Sequence, residues 1–131
     1  MNDTLALVEE DHPILTTAMP VVENPKYVDM LSKGMFQLMW EYNGIGLAAP
    51  QVCMFLRMFI MGPQEGPHYV CINPEVIEVS EKTVLDIEGC LTFRDLWLNI
   101  SRPEWVDARY QTLDGSIVAV SYTHLTLPTK A

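Results

Sequence analysis

Gly44-Ile45-Gly46-Leu47-Ala48-Ala49-Pro50-Gln51 is the stretch on which the reading of this chain turns. Two glycines, two alanines and a proline leave almost no side chain there to fill a core. Segments this bare let another backbone, or a ligand, approach closely. One polar group closes the run, the Gln51 amide, which can both donate and accept hydrogen bonds. The ordinary alternative is a glycine that ends a helix, followed by a tight turn into a strand.

Upstream, the pattern from Pro25 to Tyr42 is helical. Asn24 suits the N-cap and Pro25 the first helical position. Val28, Leu31, Met35, Leu38, Met39 and Tyr42 recur at three- and four-residue steps and define an apolar face. Asn43-Gly44 supplies the stop, so the glycine run begins where the helix ends.

Downstream the chain reads as strands. Val52 to Met61 is almost all apolar, with Arg57 its only charge, which predicts one buried strand. Cys53 and Cys71 are expected as small buried hydrophobes. Gly62 to Pro67 is a loop, and Tyr69 to Ser80 runs extended but is broken at Asn73-Pro74. Trp105 to Thr112 alternates, with Val106, Ala108 and Tyr110 facing one way and Asp107, Arg109 and Gln111 the other. Asp114-Gly115 predicts a two-residue hairpin turn into Ile117-Val118-Ala119-Val120. One helix against mostly antiparallel strands makes the expected fold class α+β.

A second run of small residues, Glu88-Gly89-Cys90-Leu91-Thr92, again sets a glycine beside a reactive side chain. On its own, Cys90 would be a buried thiol next to a turn. Taken together and in this order, the two runs resemble the first two signature motifs of the peptide deformylases, G-x-G-x-A-A-x-Q and E-G-C-x-S. Thr92 stands where that family usually has serine, and it keeps the hydroxyl. Asp11-His12-Pro13-Ile14-Leu15 resembles the segment with which those proteins begin, and Phe93-Arg94-Asp95-Leu96 is loosely similar to a loop beside their substrate pocket. The resemblance spans roughly Asp11 to Val120.

The resemblance implies a metal-dependent hydrolase that removes the formyl group from formyl-methionine at the start of nascent peptides. It implies a divalent metal, iron(II) with zinc or nickel as substitutes, and Cys90 as its thiolate ligand. It makes the Gln51 amide and the Leu91 backbone N–H the donors to the formyl oxygen. Main-chain groups of Ile45 and Gly89 would pair with an extended peptide, Gly44 and Gly46 would let it approach, and Glu88 would orient the loop. The implied partner is the N-formyl-methionyl nascent peptide, with the ribosome a candidate beyond it.

The third signature of the family, an H-E-x-x-H helix whose two histidines share one metal, is absent from these 131 residues. In its place runs Ser121-Tyr122-Thr123-His124-Leu125-Thr126-Leu127-Pro128-Thr129-Lys130-Ala131, with one histidine, no carboxylate and a helix-breaking proline. The expected organisation is therefore an incomplete deformylase-like domain at 1–120, lacking the metal-binding helix, and a non-family tail at 121–131 that is a candidate artefact. His124 is a poor ligand without a second histidine at the next turn. His12, before a proline in an entry loop, is better read as a hydrogen-bonded surface residue. Two functions stand: an enzyme of the family, or an inactive remnant that keeps only the peptide-binding cleft.

Composition sets the outer limits. A chain of 131 residues, 49% hydrophobic and 19% charged, predicts one globular domain. The formal charge of −9 argues against nucleic acid or an anionic membrane as the main partner. Three cysteines cannot pair completely, and no C-x-x-C spacing occurs, which points to a reducing cytoplasm. The N-terminus lacks the basic and apolar regions of a signal peptide, and no apolar run is long enough for a bilayer.

Overall fold

The computed structural model describes residues 5–89 and 97–123, with backbone alone described at 86–89, 97–100 and 122–123. Asn24 caps the first turn through its side-chain oxygen, which accepts from Lys26 N, and Pro25 takes the first position. That turn, Pro25–Val28, is 3-10, and the α-helix proper, α1, spans Asp29–Glu41. Its end is a Schellman cap. Asn43 N–H donates to Trp40 O, Gly44 N–H donates to Met39 O, and Asn43 takes the left-handed conformation at φ 58°. Within the Asn43-Gly44 stop, it is therefore the asparagine that takes the left-handed turn.

Among the described residues seven strands follow: β1 Gly46–Ala48, β2 Met58–Met61, β3 Tyr69–Val79, β4 Thr83–Gly89, β5 Trp97–Pro103, β6 Trp105–Gln111 and β7 Ile117–Thr123. Five form one antiparallel sheet in the order β1-β2-β3-β6-β7, and β4 pairs with β5 alone. The β4–β5 hairpin is thus an insertion between two paired neighbours. Buried Ser80 holds its base: Ser80 Oγ donates to Lys82 O and accepts from Trp105 N, while Ser80 N donates to Trp105 O. The α1 face of the large sheet packs Met35, Met39, Leu47, Met58, Ile60 and Ile72 into the main core. One helix on antiparallel sheets is the α+β class that the sequence predicts.

Four details differ from expectation. The apolar run from Val52 to Met61 is not one strand. Pro50 opens a 3-10 turn over Ala49–Val52, Cys53 ends it in the left-handed region at φ 62°, and β2 begins only at Met58. Consequently Cys53 is exposed, whereas Cys71 is buried as expected. The break at Asn73-Pro74 is instead a bulge inside one continuous β3, with a register shift between Ile72 and Glu75. Asn73 sits there at φ 52°, bonding both backbone groups of Val22 and the side-chain oxygen of Gln111. Finally, the β6–β7 loop has three residues, not two. Thr112 N bonds Ser116 O, Gly115 N bonds Thr112 O, and in this loop Gly115 alone has positive φ.

Candidate functional site

The glycine run lies on the edge of the large sheet. Gly46, Leu47 and Ala48 pair with Met61, Ile60 and Phe59, and among the described residues β2 is the one neighbour of β1 in the sheet order. Three residues of ladder hold an edge weakly, so both ends of β1 are tied elsewhere. At the start, Gly44 belongs to the helix cap and Ile45 O accepts from Gly62 N at 2.9 Å. At the finish, Ala48 N donates to the Oε1 of Gln51 at 2.9 Å.

Gln51 is buried, and its backbone oxygen accepts from Val8 N at 2.9 Å. The N-terminal segment therefore pins the main chain at Gln51 while the strand pins the carbonyl end of its side chain. Oε1 accepts from Ala48, and the amino end of the amide carries its N–H donors. Pro50 makes this possible by starting the 3-10 turn that swings Gln51 back under β1.

The second run is placed in part. Glu88 and Gly89 end β4, opposite Leu98 and Trp97 of β5. Cys90, Leu91 and Thr92, with the Phe93–Leu96 loop and His124, lie outside the described residues.

The remaining histidines and cysteines are otherwise occupied. His12 caps a short 3-10 turn, its Nδ1 accepting from Ile14 N at 3.1 Å. His68 packs edge-on against Phe36 and Trp40. Burial pushes the Cys71 thiol up to about 12, so it stays protonated and is no thiolate donor. Tyr110 is raised too, by burial first and then by Cys71 and Tyr69. Among the described residues no three His, Cys, Asp or Glu side chains gather into a metal site. No described helix is long and apolar enough to cross a membrane.

Sequence reasoning missed the anchors of β1, namely Val8, Trp40 and Gly62. A glycine before a proline after an apolar strand was the signal available for Gly62.

These features define the chain as an α+β domain whose edge strand is tied at its end to a buried glutamine. Comparison with known proteins then narrows it: the sequence model for polypeptide deformylase matches residues 4–126, and the chain belongs to that family. The peptide deformylase of Thermotoga neapolitana is 40% identical over 101 residues, which is 77% of this chain and 61% of that one. That of Dictyoglomus thermophilum is 40% identical over 104 residues, 79% of this chain and 67% of that one. The chain thus spans about three fifths of the length of the first relatives it matches. Among solved structures, the Thermotoga maritima peptide deformylase superposes with a TM-score of 0.86 at 28% identity, covering 93% of this chain and 83% of that one. A Met-Ala-Ser-bound class I type b peptide deformylase from Acinetobacter baumannii gives 0.85 at 29% identity, covering 94% and 86%. The family is metal-dependent.

Proposed function

We propose that this protein acts as a peptide deformylase, hydrolysing the formamide C–N bond of N-formyl-methionyl nascent peptides to release formate. The observation that supports the proposal is Gln51, buried at the end of the glycine run with its side-chain oxygen accepting from Ala48 N–H; its amino end is the proposed donor to the formyl oxygen. As water adds to the formyl carbon, negative charge grows on the formyl oxygen. A donor fixed beforehand stabilises that charge without reorganising. The Leu91 backbone N–H is the proposed second donor. The peptide lies extended along β1, using the main chain of Ile45 and Gly89, with Gly44 and Gly46 leaving room and Glu88 orienting the loop.

The family's metal, proposed as iron(II) with zinc or nickel as substitutes, finds one ligand here in Cys90. The described residues do not complete a site for it. Among the described residues, those of the glycine run would bind the peptide and polarise the formyl group, and the metal, held with Cys90 among its ligands, would supply the hydrolytic water. Residues 1–120 form the proposed domain; β7 carries it on to Thr123 and the family match reaches residue 126, so the proposed tail is confined to what lies beyond. The proposed compartment is the cytoplasm, with the ribosome as the source of substrate. The comparisons lend no support to the alternative of a binding-only remnant.

Formate release from formyl-Met-Ala-Ser, measured with iron(II), nickel or zinc supplied, tests this reading. Gln51→Leu is expected to lower turnover by about 10²–10³-fold, the loss of one oxyanion donor, with peptide affinity nearly unchanged. Equal turnover in the variant removes Gln51 from the role. No formate from the parent with any of the metals overturns the activity itself.

A further inference from the structure

We propose that Trp40 is a positioning residue for β1, acting through Gly62 on the peptide-binding edge. The proposal rests on reading β1 as the strand along which the peptide lies. Trp40 is on the last turn of α1, one turn after Phe36, with their rings 5.2 Å apart. His68 closes the cluster, at 4.9 Å from Phe36 and 5.4 Å from Trp40 in edge-on geometry. This packing aims the indole N–H at one acceptor: Trp40 Nε1 donates to Gly62 O at 3.1 Å.

Gly62 passes the constraint on. Its own N–H donates to Ile45 O at 2.9 Å, immediately before β1. The residue has little freedom to drift, because the loop folds tightly over it. Its φ is +122°, and a Cβ there would come within 2.4 Å of Pro67 O. The path is therefore α1 ring, Gly62 peptide groups, Ile45 carbonyl. The helix also holds β1 directly, through Gly44 N to Met39 O. Without the indole contact, the hydrogen bonds that remain between α1 and the entry to this three-residue edge strand are those of the cap, Asn43 N to Trp40 O and Gly44 N to Met39 O. Ile45 and Gly46 would then shift relative to Gln51, which is fixed from the other end by Val8 and Ala48.

Replacing Trp40 by 3-benzothienylalanine tests this, since sulfur takes the place of the N–H while the ring shape is kept. Amide exchange over 44–48 and at Gly62 is expected to rise about three- to tenfold, the effect of one lost hydrogen bond. Exchange over residues 30–39 should stay unchanged, which separates bracing of β1 from damage to the helix. Affinity for the product peptide Met-Ala-Ser should fall by a similar factor, and wherever turnover of the formylated peptide is measurable KM should rise with kcat held. Trp40→Phe, a second variant, should give the same local exchange pattern. Unchanged exchange at 44–48 overturns the role of Trp40. Faster exchange with undiminished peptide affinity, or with no affinity in the parent, instead overturns the reading of β1 as the peptide's edge and leaves the bracing itself demonstrated.

Discussion

The two faces of the five-stranded sheet are built from alternate residues of the same strands, yet they are different materials. Met58, Ile60 and Ile72 point to the face under α1 and join a core with Met35, Met39 and Leu47. Their neighbours Met61 and Cys71 point the other way, where they meet Tyr110 with Phe59, Val118 and Val120 packed around them. The first core is aliphatic and methionine-rich, and a helix closes it. The second, among the described residues, is made by strands alone and holds two groups whose ionisation burial suppresses. The helix face is therefore expected to carry the larger share of packing stability and the placement of β1. The opposite face is expected to make stability fall at alkaline pH.

The largest expected effect tests the first half of that contrast. Ile60→Ala opens a cavity where the side chain is wholly buried, and should cost about 2–5 kcal/mol in denaturant unfolding. Met61→Ala, one residue along on the other face, should cost about 2 kcal/mol, at the low end of the same range. Equal losses would mean that the two faces are packed alike and the comparison fails.

Alkaline unfolding sharpens the second half. The Cys71 pKa is raised from an ordinary 9.0 to about 12 in the folded chain, so the unfolded chain gives up its proton first. The stability this contributes is whole below pH 9 and is lost as pH rises from there towards about 12. Cys71→Ala should flatten that decline in a melting series, whereas Cys53→Ala, at an exposed position, should leave it in place.

The smallest effect belongs to the hairpin that carries Tyr110 and Val118. Asp114 is lowered to about 2, first by the Thr112 hydroxyl and then by Ser116, in a fully exposed turn. A depressed carboxyl contributes above its ordinary value of 3.8 and loses that contribution as pH falls through about 2. Asp114→Ala should slightly weaken acid resistance in that window and leave the alkaline limb untouched. A change at alkaline pH would show that the turn is coupled to the second face.

The helix face was legible because a helix against a core repeats every three or four residues, and Met35, Leu38 and Met39 obey that rule. The same rule placed Tyr42 on the face, but it is the C-cap residue and is exposed. It passed over Trp40, whose ring packs beside the core. Cys53 was misread for a different reason. An apolar run looks the same whether it pleats or turns, and the turn depended on Pro50 and on a left-handed backbone that hydrophobicity does not encode. Gln51 was legible as part of a motif. What holds its carbonyl end is a bond back to Ala48, three residues away, that only coordinates reveal. The Cys90 half of the site rests on sequence alone.

The asparagine cap of α1 carries a chemical consequence. Asn43-Gly44 is the dipeptide that ages fastest in an unfolded chain, since the glycine nitrogen can attack the asparagine side chain and close a succinimide. Here that nitrogen is engaged with Met39 O, and the Asn43 backbone is held at φ 58° by the helix end. The cap thus protects its own asparagine. Isoaspartate at position 43 would accumulate only as fast as the last turn of α1 opens, so its rate of appearance on storage is a slow clock for fraying beside the glycine run.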